Sequence, residues 1–214
     1  MSGDVPPRCR CGAVRGVALR ASRNGGRRLV CYCDDCQAFA HFLEQADVLD
    51  ARGGTDIFQT TPAQIRIESG AEQLRCVRLS EKGLLRWYTA CCRTPVGNTL
   101  ASARAPFVGV VHRFMDHAAE GRSRDEALGP PRERVHGRFA LGGLPEGAHR
   151  TAPPGLLAGT LVFLCRAWLA GGHSPSLFFD ARTRTPAVTP TVLSADEREQ
   201  LRKRVLAGLP GTPR

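Results

Sequence analysis

Lysine is almost missing from this chain: Lys82 and Lys203 are the only two among 30 basic residues, so arginine carries nearly all of the formal charge of +10. A positive balance of that size invites a nucleic-acid partner. An excess drawn from one residue type and spread over both halves of the chain instead fits codon bias and a solvated arginine-rich surface. Nucleic acid is therefore not expected as the main partner. Long hydrophobic runs are missing too. The most apolar stretch, Leu156 to Ala170, is interrupted by Arg166 and is too short for a bilayer core of roughly 30 Å. No membrane span is expected. The opening Met1-Ser-Gly-Asp-Val-Pro-Pro7 lacks a basic start followed by an apolar run, so no secretory leader is expected and a cytoplasmic location follows. Internal repeats are missing as well, which removes the solenoid architectures.

What is there is a chain of 214 residues with 42% hydrophobic content, enough for one sizeable domain or a core with an appended subdomain. It carries nine cysteines, and seven of them fall into three tight groups: Cys9 and Cys11, then Cys31, Cys33 and Cys36, then Cys91 and Cys92. An odd total argues against complete disulfide pairing. In a reducing compartment such groups are metal ligands or redox centres more often than structural bridges.

The spacing favours metal. A C-x-C pair sets two thiolates on one side of a tight turn and supplies half of a tetrahedral zinc site. Gly12 directly after it lets the backbone fold round the ion. Cys91-Cys92 is the available other half, with Cys92 the favoured ligand of that pair. A zinc joining them to Cys9 and Cys11 would close a loop of about eighty residues and stabilise the sheet where its ends would otherwise fray. The trio Cys31, Cys33 and Cys36 can wrap a second ion but fills only three positions, leaving one for water or a substrate thiol. Two further groups stand nearby in sequence: His41 as a fourth ligand or supporting group, and Asp34-Asp35 as either water-orienting or merely turn-forming residues. Cys76 reads as a buried core residue. Redox exchange through Cys33-x-x-Cys36 lacks the βαβ setting such motifs have.

Short runs at 13–19, 29–30, 55–60, 64–68, 74–79 and 84–88, punctuated by Asn24-Gly25-Gly26, Pro62, Ser69-Gly70 and Glu81-Lys-Gly83, predict strands, the last four as an antiparallel meander. Residues 37–49 form the helical candidate of this half. Residues 107–111 suggest another strand, 113–119 a short helix, and 129–155 a long irregular connection. Leu157, Leu161, Leu164 and Trp168 recur at helical spacing and predict a packed helix with that stripe in the core and Arg166 outward. A last helix starts at the capping box of Ser194 and Glu197, ends its final turn on Arg202-Lys-Arg204, and should stop at Gly208 and Pro210.

Taken together, Cys9-Arg-Cys-Gly-Ala-Val-Arg15, Cys31-Tyr-Cys-Asp-Asp-Cys36-Gln37 and Trp87-Tyr-Thr-Ala-Cys-Cys-Arg-Thr-Pro95 resemble the family of glutathione-dependent formaldehyde-activating enzymes and centromere protein V. The likeness covers roughly the first hundred residues. It implies an α+β chain with a β-rich, Mss4-like β-tent core built around zinc sites over residues 1–105. Residues 106–214 would then be an extension with helices near 156–170 and 195–207 packed on that core. It also implies a structural zinc on Cys9, Cys11 and Cys92 and a second zinc at the substrate site on Cys31, Cys33 and Cys36. The implied chemistry is that of a carbon–sulfur lyase of the S-(hydroxymethyl)glutathione synthase type, joining a small thiol such as glutathione to a small aldehyde. A non-catalytic zinc module for protein or nucleic-acid interaction is the alternative. The chain departs from the family pattern at Thr89, where a cysteine is usual, at Arg93, where glycine is usual, and at Tyr32 and Gln37, where histidine and arginine are usual. Cys91 then either takes over the missing ligand role or marks a rebuilt site.

Overall fold

Ten strands and four α-helices form in the described residues, 3–207, of this computed structural model. The strands are β1 (Arg15–Ala18), β2 (Arg27–Cys31), β3 (Thr55–Thr60), β4 (Ile65–Ser69), β5 (Leu74–Arg78), β6 (Leu85–Thr89), β7 (Pro95–Thr99), β8 (Val108–Val111), β9 (Glu133–Val135) and β10 (Thr191–Val192). The helices are α1 (Asp34–Phe42), α2 (Arg124–Leu128), α3 (Pro154–Leu169) and α4 (Ala195–Ala207). The chain is thus α+β.

Eight strands make one sheet in the order β10-β5-β6-β7-β8-β3-β2-β9, while β1 and β4 pair antiparallel as a separate ribbon. The ribbon is tight: a Cβ on Gly16 would lie 1.9 Å from the Arg66 carbonyl oxygen, so only glycine fits there. The antiparallel meander is therefore β5-β6-β7-β8, and not the four segments from 55 to 88. Punctuation marks where strands stop but not which edges they meet. β3, buried on both faces apart from Gln59, belongs inside the sheet and pairs with β2 and β8. Half-exposed β4 goes to the ribbon. Strands from beyond residue 105 enter the same sheet: β8 lies within it, and β9 and β10 close its two edges in parallel with β2 and β5.

The main core lies around Trp87, which is fully buried, stacks near Phe178 at a centroid distance of 5.2 Å, and donates through Nε1 to Thr99 Oγ1 at 3.0 Å. A second cluster joins α1 to α4 through Phe39, Leu43, Leu79 and Leu201. At the start of α4, Ser194 and Glu197 exchange hydrogen bonds as the capping box requires. The stop at Gly208 and Pro210 lies outside the described residues.

Three expectations are corrected. The helix foreseen over 37–49 begins earlier, at Asp34, and ends at Phe42, with a 3-10 turn at Ala46–Val48. The irregular connection at 129–155 contains β9 and the 3-10 turn Gly137–Phe139, because its backbone completes the edge beside β2. In α3 only Leu156 is buried, while Leu157, Leu161, Val162, Trp168 and Leu169 are each more than half exposed. The foreseen core stripe is on the outside, because α3 is apolar nearly all round and periodicity cannot choose its inner face. No helix among the described residues is long and apolar enough to cross a membrane.

Candidate metal centres

Seven thiols converge into two groups, Cys9, Cys11, Cys91 and Cys92 in one and Cys31, Cys33 and Cys36 in the other, each with all sulfurs within 4.8 Å of one another. Local backbone geometry explains the first half of the four-thiol group. Gly12, at φ +78°, donates its amide to the Cys9 carbonyl at 2.9 Å, while the Val14 amide reaches Cys9 Sγ at 3.2 Å. The glycine is needed for its left-handed conformation. The other half sits on the β6–β7 turn. Thr89, standing where the resembling family has a cysteine, places its Oγ1 3.5 Å from Cys92 Sγ, and Thr94 Oγ1 lies 3.1 Å from the same sulfur. Arg93 takes a left-handed backbone, at φ +55°. Its side chain stays useful by donating to the carbonyls of Phe42 and Leu43 at the end of α1.

The distances suit a single ion. Cys9 Sγ lies 3.5 Å from Cys11 Sγ and 3.7 Å from Cys91 Sγ, and Cys91 and Cys92 are 3.8 Å apart. A tetrahedral zinc with bonds of about 2.3 Å sets its ligand sulfurs about 3.8 Å from one another. Cys91 has joined the group beside Cys92. The thiols differ in acidity: burial pushes Cys91 up to about 12, whereas at Cys92 the hydrogen bonds led by Thr94 and Thr89 outweigh burial and pull it down to about 5.

The trio is built by a strand end and a helix start. Cys31 closes β2, Cys33 caps α1 by accepting the Cys36 amide at its Sγ (3.4 Å), and Cys36 stands in the first helical turn. A helix N-terminus favours thiolate through its unpaired amides and dipole. Cys31 and Cys36 are buried beside Leu29, Ile57, Val135 and Leu156, with Cys33 half-buried. Hydrogen bonds from Cys31 and Cys33 hold the Cys36 thiol well below its ordinary value against the burial that opposes them, with Arg86 adding its charge. The same contacts, with Cys33 and then Cys36, push Cys31 up. Three sulfurs that near one another, at the first turn of a helix, are a soft donor set that fits a zinc-like ion.

Arg86 joins the trio from a strand far off in sequence. It is 2% exposed on β6, with Nη1 3.9 Å from Cys36 Sγ and 3.2 Å from Asn98 Oδ1, its guanidinium 5.5 Å from the Phe39 ring centre. Its signal was an arginine set between Leu85 and Trp87 in an apolar strand. Asp35 answers it at 3.6 Å and Arg198 of α4 at 3.0 Å, while Asp34 accepts the Asp35 amide, so both aspartates serve the start of the helix. Gln37 is buried and donates to the carbonyls of Tyr32 and Phe139. It ties the 137–142 segment to the trio. Cys76 lies in the main core, its thiol pushed up by burial to about 12, and neither Cys76 nor His41 joins a thiol group.

Beside the trio, a cleft of about 840 Å³ runs between α1, α4 and residues 138–142, lined by Asp35 and Gln37 on either side of Cys36 and by Arg138, Arg198 and Arg202. The trio's sulfurs do not line it.

A family model described as a family of unknown function, DUF6151, matches residues 1–188. No curated protein matches the chain. Among solved structures, a crystal structure of a Rhodobacter sphaeroides protein is 20% identical, covers 59% of this chain and 96% of its own, and superposes with a TM-score of 0.38.

Proposed function

This chain belongs to that DUF6151 family, and we propose that it is a two-zinc cytoplasmic protein with an Mss4-like core that joins a small thiol of the glutathione type to a small aldehyde, or cleaves the adduct. The observation that carries the reading is the unequal division of seven thiols, four in one group and three in the other. Four complete a structural site, and three leave a position for a substrate. When bound there, zinc supplies a Lewis acid that lowers a substrate thiol's pKa and polarises a carbonyl. The protein's own groups do the rest. Cys31, Cys33 and Cys36 hold the ion, and Arg86 offsets the surplus negative charge of three thiolates on a divalent cation. Arg138, Arg198 and Arg202 give the neighbouring cleft cationic groups for the carboxylates of the thiol cosubstrate. In the addition the thiol sulfur bonds to the aldehyde carbon, the C=O π pair moves to oxygen, and the thiol's proton ends on that oxygen.

Burial of Cys31 and Cys36 favours a second reading, in which both ions are structural and the protein is an interaction module. Elemental analysis and cobalt substitution separate them. The lyase reading expects two ions per chain, a cobalt spectrum at the trio that glutathione changes, and catalysed adduct formation from glutathione and formaldehyde. Cys33→Ser should lose one ion and the turnover with the fold retained, whereas Cys11→Ser should lose the other ion. A trio spectrum indifferent to thiol, or full turnover in Cys33→Ser, would sink the lyase reading.

A further inference from the structure

On the Cys9 side of the four-thiol corner, a separate cleft of about 590 Å³ opens between the N-terminal segment, the turns at 112–118 and the start of α2. Arg8, Arg10, Arg113, Arg122 and Arg124 line it against a single lining carboxylate, Asp116. Some of that charge is answered: Arg124 pairs with Asp56 at 2.7 Å and Arg113 with Asp47 at 2.7 Å. The rim is answered less well. Arg8 reaches Asp116 only at 3.6 Å, and Arg10 bonds the neutral Gln45 Oε1.

The floor is where the polar accounting fails. Among the described residues, eight buried side-chain nitrogen or oxygen atoms have no hydrogen-bond partner, and three of them belong to this cleft: both ring nitrogens of His117 and Nε of Arg124. Such orphans are rare in folded proteins, and a group of them calls for a partner that the protein itself does not supply, a water, an ion or a ligand. His117 is only 8% exposed, so bulk water does not serve it. His112 beside it uses Nδ1 on the Asp56 carbonyl at 3.2 Å. Burial, reinforced by the charge of Arg124, holds both imidazoles down to about 4, so each is neutral near pH 7; the one N–H of His112 is spent on the Asp56 carbonyl, and that of His117 is left to donate.

We propose that this cleft binds an oxyanion of the phosphate class, with the His117 ring and Arg124 Nε at its floor and Arg8 and Arg10 at its rim. Donors come from three chain segments around one space, which suits a tetrahedral anion with four oxygens better than a planar carboxylate. The guanidiniums of Arg8 and Arg10 at the rim suit an anion. The proposal is independent of the chemistry at the trio.

The test is calorimetric titration of the full, metal-loaded chain with inorganic phosphate, with chloride at matched ionic strength as the control. Saturable binding is expected in wild type. It should be lost in His117→Leu and weakened about tenfold in Arg8→Gln, as removing one charge-assisted contact implies, with metal content per chain unchanged. Glycerol phosphate binding at least as tightly as phosphate would identify a phosphate ester as the ligand, and weaker binding would identify the free ion. Wild-type heats no different from chloride, or an Arg8→Gln protein that binds as wild type does, would overturn the proposal even if His117→Leu failed to fold.

Discussion

Arg86 Nη1 lies 3.9 Å from the Sγ of Cys36, a guanidinium and a thiol enclosed together between β6 and α1. Neither would be stable alone at that depth, since a buried charge without a partner costs several kcal/mol. The pair makes each more acceptable: the cation favours ionisation of the Cys36 thiol, and that sulfur, Asn98 and Asp35 face the two Nη atoms, while the buried Nε has no partner. Arg86→Met keeps the volume and removes the charge. Metal affinity at the trio should fall about 10–100-fold, the usual effect of losing a group that supports the ligands. The four-thiol site should keep its ion. Competition with a chromophoric chelator measures both, and unchanged trio affinity would rule out the electrostatic role.

Acid should destabilise the fold before carboxylates titrate. His112, held down to about 4 chiefly by burial, binds its proton less readily folded than unfolded, where its pKa is about 6.5. Its neutral form therefore costs nothing above pH 6.5, and stability is lost progressively as pH falls from 6.5 towards 4. Urea melts at stepped pH should show His112→Gln losing about 2 kcal/mol less than wild type across that window. Metal loss at low pH is common to both proteins and cancels in the difference. Parallel curves would contradict the burial argument.

Helix α3 should tolerate changes that its sequence forbids. Leu161, 62% exposed, can become glutamate at a cost within about 0.5 kcal/mol. Leu156, buried against Cys31 and Cys36, should cost about 2–3 kcal/mol as alanine. Denaturant melts of the two variants give the comparison, and a larger loss at Leu161 would put the stripe back in the core.

The sequence was most legible where the signal is local. The run 55–60 coincides with β3, and the C-x-C and C-x-C-x-x-C spacings meet as two sulfur groups, because residues one to three apart have few ways to separate their thiols. Thr89 and Arg93 show the limit. Sequence spacing left Cys91 undecided, and only the turn geometry, with Arg93 left-handed and Thr89 hydroxyl against Cys92, brings Cys91 to the other three thiols.

Composition and spacing by themselves determined an arginine-rich chain with a β-rich first half and seven of its cysteines in three short groups, since these follow from residue type and short-range geometry. Tertiary structure alone decided which strands are neighbours, that β9 and β10 close the sheet, that α3 turns its apolar side outward, and that Arg86 and the His117 cleft exist. Those outcomes depend on contacts between residues tens of positions apart, and periodicity along a chain carries no record of what lies across from it.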